Sequence, residues 1–185
     1  PALGPVGGLT RDLAPGSRLV IAGPSGSGKS TLLKTIAGLV RPFGGRVVFN
    51  SAPIREAPLL YMGHQLGLQP GMSVYDNVVL WAELAGAPEL TAAAMHYFDL
   101  DDIADVELKQ LSAGWQQRVA LTRMITVPSS LWLLDEPTSH LDAEGVVLLQ
   151  SLLHSRLEQG GIAVVATHME LQGEFIELFN ISDLN

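Results

Sequence analysis

The chain has 185 residues, of which 47% are hydrophobic and 16% are charged, so we expect one globular domain with a sizeable core and exclude a disordered chain. Its 11 basic and 19 acidic residues give a net charge of −8, which argues against a nucleic-acid-binding protein because phosphate backbones recruit Lys and Arg. The sequence has no cysteine, which excludes disulfides and thiolate chemistry, and no apolar run of the roughly 18 residues that a membrane-spanning helix needs.

A glycine-rich loop near the start of the chain lies between a predicted strand and a predicted helix. Leu19–Ala22 is an apolar run that predicts a buried strand, and Thr31–Ala37 is predicted to be helical. The loop has the pattern of a glycine, four residues and then glycine-lysine-serine, in which glycines let successive backbone N–H groups approach a polyphosphate. Lys29 supplies a positive charge for the β- and γ-phosphates, and the Ser30 hydroxyl can ligate Mg²⁺. We therefore predict a nucleotide-binding loop that comprises Gly23, Pro24, Ser25, Gly26, Ser27, Gly28, Lys29, Ser30 and Thr31.

The middle of the chain predicts short strands followed by helices. Arg46–Asn50 and Leu59–Met62 are short apolar runs bounded by turn residues, which is typical of strands. From Ser73 to about Leu108 the pattern is helical and has no strand signal. We predict a helical subdomain of about residues 73–127 inserted in an α/β core.

The segment that joins the core to this subdomain, residues 63–77, is unusually apolar for a connecting loop. Its apolar side chains stand among glycine and proline residues and are Leu66, Leu68, Met72, Val74 and Tyr75. Connecting loops are normally polar and exposed, so the cluster favours a groove that binds another protein. The alternative is that these side chains pack the subdomain against the core, and the sequence leaves both interpretations open.

The second half of the chain returns to alternating helices and strands. Helices are predicted over Trp115–Thr126 and Ala143–Gln159, and strands over Leu131–Leu134 and Ile162–Thr167. This alternation predicts a P-loop NTPase fold of the α/β class, with a mostly parallel sheet flanked by helices, in a single domain of residues 1–185.

Three candidate catalytic elements follow predicted strands, and the carboxyl ends of parallel strands meet at one edge of a sheet. They are the phosphate loop, the pair Asp135-Glu136 and His168. Asp135 is placed to hold Mg²⁺ directly or through water, and Glu136 to orient or deprotonate the attacking water. His168 is predicted to contact the γ-phosphate; the alternative for a lone strand-end histidine is a purely structural role.

The stretch Leu111-Ser112-Ala113-Gly114-Trp115 resembles the signature motif of ABC-type ATPases, usually Leu-Ser-Gly-Gly-Gln. Together with the phosphate loop, Asp135-Glu136, the run Ser139-His140-Leu141-Asp142 and His168, it completes the family's ordered set of motifs. The resemblance implies a head-to-tail dimer in which the signature of one ATPase domain closes on the ATP of the other. Ser112 is a good helix N-cap, so its hydroxyl, the Gly114 N–H and the helix dipole would form an anion site. The implied nucleotide contacts are Ser112, Gly114 and Asp142.

The resemblance also implies a glutamine that ligates Mg²⁺ and takes part in catalysis. Residue type favours Gln65, whereas counting back from Asn77 gives His64, and both assignments remain open. Trp115 stands where the family usually has Gln. The family's adenine-stacking aromatic residue has no counterpart before the phosphate loop, so either N-terminal strands are missing or adenine is held weakly.

Within the family, the segment Leu59–Gln65 resembles the ATP-binding subunits of haem exporters in cytochrome c maturation. Ala113 and the run Leu131–Pro137 match those subunits as well, whereas Thr138-Ser139-His140 departs from their Phe-Thr-Ala. This resemblance implies a peripheral protein at the cytoplasmic face of the inner membrane that hydrolyses ATP to power integral membrane subunits. The alternatives are an ATPase subunit of another ABC importer or exporter, and a soluble ABC-type ATPase without a transporter.

Overall fold

A computed structural model of the protein describes residues 9–167 and 176–181. The chain forms two compact units. The first comprises Pro1–His64, Ser130–Pro137 and Ser155–Asn185, and the second comprises Gln65–Ser129 and Thr138–His154. The predicted helical subdomain of residues 73–127 falls within the second unit.

The first unit contains a parallel sheet. Its strands are β1 (Arg18–Ala22), β4 (Leu59–Met62), β5 (Leu131–Asp135), β6 (Ile162–Ala166) and β7 (Ile176–Asn180). The five strands pair in the order β4-β5-β6-β1-β7, and every neighbouring pair is parallel. All residues of β5 are buried, as expected for a central strand of a sheet covered on both faces.

Helix α1 (Lys29–Ile36) leaves the sheet after β1 and packs on it. Its Leu33 is fully buried in a core that also contains Ile21, Leu133 and Val164 from three strands. A fully buried apolar side chain of this size contributes roughly 1.5–3 kcal/mol. The core therefore fixes the start of α1, and with it the phosphate loop, against the ends of the strands.

A short antiparallel hairpin follows α1 in the first unit. It consists of β2 (Val48–Phe49) and β3 (Ala52–Pro53), which is shorter than the strand predicted over residues 46–50. Asn50 and Ser51 turn the chain with φ values of 49° and 64°. Two central residues with positive φ are typical of tight hairpin turns, and asparagine tolerates this conformation well.

Strand β7 was not predicted from the sequence, which placed the last strand at residues 162–167. It pairs with β1 at the edge of the sheet. Leu178 is 71% exposed whereas Phe179 is buried, and polar residues interrupt the segment. A half-exposed edge strand gives a weaker apolar pattern than the buried strands do.

The second unit is helical. Its helices are α2 (Val74–Leu84), α3 (Thr91–Tyr97), α4 (Ala113–Leu121), α5 (Arg123–Thr126) and the first part of α6 (Ala143–Glu158). The hydroxyl of Ser73 caps α2 by accepting a hydrogen bond of 3.0 Å from the Asp76 N–H. In the described part of the chain, no helix is both long and apolar enough to cross a bilayer.

The single helix predicted over residues 115–126 is two helices in the structure, and this prediction was wrong. The break falls at Thr122, whose hydroxyl donates a hydrogen bond of 2.6 Å to the Val119 carbonyl oxygen. A threonine side chain that bonds to the preceding turn competes with the helical ladder. Pattern alone does not show this competition because the apolar residues continue across the break.

Candidate active site

The phosphate loop connects β1 to α1, and its glycines adopt conformations that other residues rarely take. Gly26 has φ 79°, and Gly28 has φ 102° at the N-cap of α1. A Cβ on Gly23 would lie 2.6 Å from Cγ2 of Ile181. No side chain caps α1, so its N-terminal N–H groups are available to an anion.

Lys29 is buried beneath the loop and holds it in place. Its Nζ donates hydrogen bonds to the carbonyl oxygens of Gly23, at 2.7 Å, and Pro24, at 3.1 Å. The same nitrogen lies 4.0 Å from Oε1 of Glu136. One cation therefore links the loop to the end of β5, where the two predicted catalytic acids lie.

Asp135 is the last residue of β5, and its side chain is only 1% exposed. Neither carboxylate oxygen has a hydrogen-bond partner within the described residues. A buried carboxylate without partners is costly, and a bound cation is the usual compensation. Carboxylate and hydroxyl oxygens suit Mg²⁺, so Asp135 fits this ion, and the sequence adds Ser30 as a second donor.

Glu136 follows Asp135, but its backbone departs from the extended conformation of the strand. Its φ is 50°, and its N–H donates a hydrogen bond of 2.8 Å to the Ala166 carbonyl oxygen at the end of β6. A left-handed conformation in a non-glycine residue costs about 1–3 kcal/mol and occurs mainly where the fold imposes it, often at active sites. Glu136 is 9% exposed, and its carboxylate lies on the side of the phosphate loop, near Lys29.

One side chain at the exit of β4 lies beside the Asp135 carboxylate, and one side chain within β4 is influenced by its charge. His64 Nε2 lies 3.7 Å from Oδ2 of Asp135. Burial, and then the charge of Asp135, raise the pKa of the Tyr61 hydroxyl above its ordinary value. The sequence analysis left His64 open as an alternative to Gln65 and did not place Tyr61 near the site. Both placements follow from the pairing of β4 with β5, Met62 beside Leu134, which no local pattern in the sequence reports.

Two predicted catalytic residues remain predictions, for different reasons. His168 lies outside the described residues, so its role stays a prediction. Gln65 is exposed and is the first residue of the second unit. Its role as an Mg²⁺ ligand also stays a prediction.

The signature stretch of the second unit opens helix α4. The Ser112 hydroxyl accepts a hydrogen bond of 3.4 Å from the Trp115 N–H and is the N-cap of the helix. A Cβ at Gly114 would lie 2.7 Å from the His140 carbonyl oxygen, so this position requires glycine. The predicted geometry of Ser112 and Gly114 at a helix N-terminus is therefore present, and their nucleotide contact stays a prediction.

Asp142, a predicted nucleotide contact, is bonded within its own unit. Its carboxylate accepts hydrogen bonds of 2.8 and 3.0 Å from Arg118 and one of 2.8 Å from the Gly145 N–H. The hydrogen bond from Arg118, more than any other cause, lowers the pKa of Asp142. The Arg118 side chain is only 4% exposed and also pairs with Asp99 and Glu144. The structure thus gives Asp142 a local structural function that the sequence did not predict.

Comparison with known proteins identifies the family to which this chain belongs. Residues 6–139 match the ABC transporter family. The chain belongs to this family. It is 41% identical, over 89% of its length and 78% of the relative, to the cytochrome c biogenesis ATP-binding export protein CcmA of Ruegeria pomeroyi. It is 40% identical to the protein of the same name from Paracoccus denitrificans, over 97% of this chain and 85% of the relative.

A solved structure of a family member has the same fold. The dimeric ATP-binding cassette MJ0796, in a post-hydrolysis state bound to ADP and Pi, superposes with a TM-score of 0.75 and 27% identity. The match covers 86% of this chain and 78% of that one. These comparisons confirm the predicted P-loop fold, the membership of the ABC family and the enzyme class. The chain is an ATP-binding, ATP-hydrolysing subunit of the ABC type.

Proposed function

We propose that this chain is the ATP-binding subunit of a haem exporter that serves cytochrome c biogenesis. The observation that carries the proposal is its identity of 40–41% to two cytochrome c biogenesis ATP-binding export proteins, over 78–85% of their lengths. The segment that joins β4 to the second unit, Gly63-His64-Gln65, has the sequence that suggested this subgroup. The proposed location is the cytoplasmic face of the inner membrane, bound to integral membrane subunits.

In the proposed mechanism the phosphate loop binds the polyphosphate of ATP. Lys29 and the N-terminal N–H groups of α1 face its oxygens, and Ser30 and Asp135 hold Mg²⁺. The ion, when bound, neutralises charge on the β- and γ-phosphates. Glu136 then accepts the proton of the attacking water, a role supported by its turn out of the strand toward Lys29.

The proposed active form is a head-to-tail pair of ATPase domains. Ser112 and Gly114, at the open start of α4, would contact the γ-phosphate of ATP held by the other copy. Support comes from the N-cap geometry of Ser112 and from the dimeric state of MJ0796. Gln65 and His168 would complete the same nucleotide site, and Asp142 would lie beside it.

The test is complementation of a bacterium that lacks its own ATP-binding subunit for this pathway. We expect the wild-type chain to restore covalent haem attachment to c-type cytochromes, measured by haem staining, and Glu136→Gln not to restore it. The tagged chain should be recovered with that pathway's integral membrane subunits. Recovery with another transporter, without restored haem attachment, would contradict the haem-export proposal in favour of another ABC transporter.

A further inference from the structure

We propose that Gln116 is a positioning residue that holds the signature stretch, and with it Ser112, in place from the wall of a neighbouring cleft. The inference rests on the proposed function, in which Ser112 contacts the ATP held by the other copy. Gln116 lies on α4, one helical turn after Ser112. All of the residues that carry the inference belong to the second unit.

The side chain of Gln116 binds the backbone that leads into the signature stretch. Its Nε2 donates hydrogen bonds of 3.2 Å to the Leu108 carbonyl oxygen and of 3.1 Å to the Leu111 carbonyl oxygen. The backbone N–H of Gln116 donates a further bond, of 3.0 Å, to the Ser112 carbonyl oxygen. One residue therefore binds the two consecutive carbonyl groups, of Leu111 and Ser112, at the start of the signature stretch.

The conformation of this backbone explains why it needs support. Leu108–Gln110 is a single turn of 3-10 helix, and α4 begins at Ala113. Leu111 and Ser112, which join the two, are extended, with ψ values of 150° and 160°. An N-cap residue takes such an extended conformation when its side chain bonds to the first turn of the helix. Residues outside a helix lack its hydrogen-bond ladder, and here the amide of Gln116 supplies the missing support.

The 3-10 turn is also bonded to the junction segment of residues 63–77, and both contribute to the wall of an open cleft. The Leu108 N–H donates a hydrogen bond of 3.0 Å to the Met72 carbonyl oxygen, and the Lys109 N–H donates one of 3.1 Å to the Pro70 carbonyl oxygen. Pro70, Leu108 and Gln116 are among the residues that line the cleft. A displacement of the cleft wall would therefore reach the signature stretch through Gln116.

The amide of glutamine is suited to this position because its nitrogen carries two hydrogens, one for each carbonyl group. Glutamate has the same shape, but its carboxylate has only acceptor oxygens, which repel the carbonyl oxygens. Leucine has no polar atom in its side chain. Lysine has three donors on a longer chain and can bond to both carbonyl groups. These three substitutions separate the donation of hydrogen bonds from the size of the side chain.

The first experiment measures the positioning directly, by amide hydrogen exchange on the full chain. Exchange over residues 111–116 should rise at least about twofold in Gln116→Leu and Gln116→Glu, the lower limit for one neutral hydrogen bond, and stay near wild type in Gln116→Lys. Gln110→Leu, at an exposed position of the 3-10 turn, is the matched control and should leave exchange unchanged. Wild-type exchange in Gln116→Leu and Gln116→Glu, or an equal rise in all three Gln116 variants, would overturn the inference.

The second experiment asks whether the positioned serine serves the reaction. ATP turnover per protomer is measured against protein concentration at saturating ATP, because the proposed pair forms from two copies. Gln116→Leu and Gln116→Glu should need at least about tenfold more protein for half-maximal turnover, since each pair contains two altered signature stretches. ATP affinity, which the phosphate loop of the first unit determines, should stay within about twofold of wild type, whereas general unfolding would lower both quantities. A wild-type dependence on protein concentration in both variants would contradict the role of Gln116.

Ser112→Ala separates the inference from the proposal on which it rests. If Ser112→Ala keeps wild-type turnover at every protein concentration, Ser112 does not contact the nucleotide of the other copy, and the role of Gln116 falls with it. If Ser112→Ala weakens turnover but Gln116→Leu and Gln116→Glu do not, the contact in the proposed pair stands and Gln116 does not position it.

Discussion

At the scale of the residue, adjacent acids take different roles because one backbone angle separates them. Asp135 completes β5 and keeps its carboxylate buried, without a hydrogen-bond partner among the described residues. Glu136, with φ 50°, turns its carboxylate toward Lys29 at the phosphate loop. The fold thereby separates a group suited to a cation from a group suited to a proton.

Replacing Glu136 by Gln tests the second role. The amide keeps the size of the side chain but cannot accept the proton, so ATP turnover should fall at least about 100-fold, within the range of general-base effects. Nucleotide affinity should stay near that of the wild-type protein, and ATP should trap a dimer visible by size-exclusion chromatography. Glu89→Gln, at an exposed position, is the matched control. Wild-type turnover in Glu136→Gln would remove this residue from the role.

Replacing Lys29 by Ala tests the loop. Loss of a charge-assisted contact to phosphate is worth about 1.5–3 kcal/mol, or about 10- to 150-fold in ATP affinity. We expect a decrease of this size in calorimetric titrations with ATP, together with loss of turnover. Lys34→Ala, an exposed lysine on the same helix, should bind ATP normally. Equal affinities for the two variants would show that Lys29 does not bind phosphate.

At the scale of the element, a single buried arginine joins helix α4 to the beginning of α6 in the second unit. Arg118 on α4 bonds to Asp142, which caps α6, and its guanidinium lies 5.0 Å from the centre of the Trp115 ring. Trp115 stands where the family usually has Gln, and here its ring covers the arginine. The signature helix and the Asp142 turn are thus fixed to each other by ionic and aromatic contacts.

This connection makes stability depend on pH through Asp142. Its folded-state pKa is lowered from the ordinary value of 3.8, chiefly by Arg118. A lowered carboxylate pKa stabilises the fold above the unfolded-state value, and the stabilisation is lost as the pH falls through the folded-state pKa. Asp142→Asn should therefore lower the free energy of unfolding at pH 6, and the difference from wild type should shrink toward pH 3 in urea titrations. A difference for Asp142→Asn that stayed constant as the pH fell below 3.8 would contradict the assignment.

The apolar segment after β4, residues 63–77, was predicted either to form a protein-binding groove or to pack inside the protein. In the structure, different residues of the segment fit each interpretation. Val74 is fully buried and packs inside the second unit. Leu66 and Leu68 instead line a cleft of about 380 Å³, together with Leu108 and Gln116. We propose that this cleft, which is open to solvent, receives an apolar segment of the proposed membrane subunit.

The double variant Leu68→Asp with Met72→Asp tests this groove. Two charges should abolish recovery with membranes, because an apolar partner cannot solvate them, while folding, ATP binding and basal turnover persist. Leu84→Asp, at a position that is 70% exposed, should leave membrane recovery unchanged. Unfolding of the double variant would favour the packing interpretation, and undiminished recovery would exclude the groove.

At the scale of the whole molecule, the features that the sequence predicts are those that neighbouring residues determine. The glycine spacing of the phosphate loop and the buried runs of β5 and β6 are local signals, and the structure has all three. Strand β7 and the position of His64 depend on pairing with distant strands, and no local pattern reports such pairing. The same limit applies to Asp142, because its bonding follows from a helix that lies elsewhere in the chain.

The strand order has a consequence for synthesis on the ribosome. Within the described residues, strand β1, which leads into the phosphate loop, pairs with β6 and β7, which come much later in the sequence. At roughly 5–20 residues per second, the nascent chain carries an unpaired β1 for on the order of ten seconds before β6 exists. The ATP-binding loop therefore gains the neighbouring strands that support β1 only after β6 and β7 have been synthesised, long after its own residues.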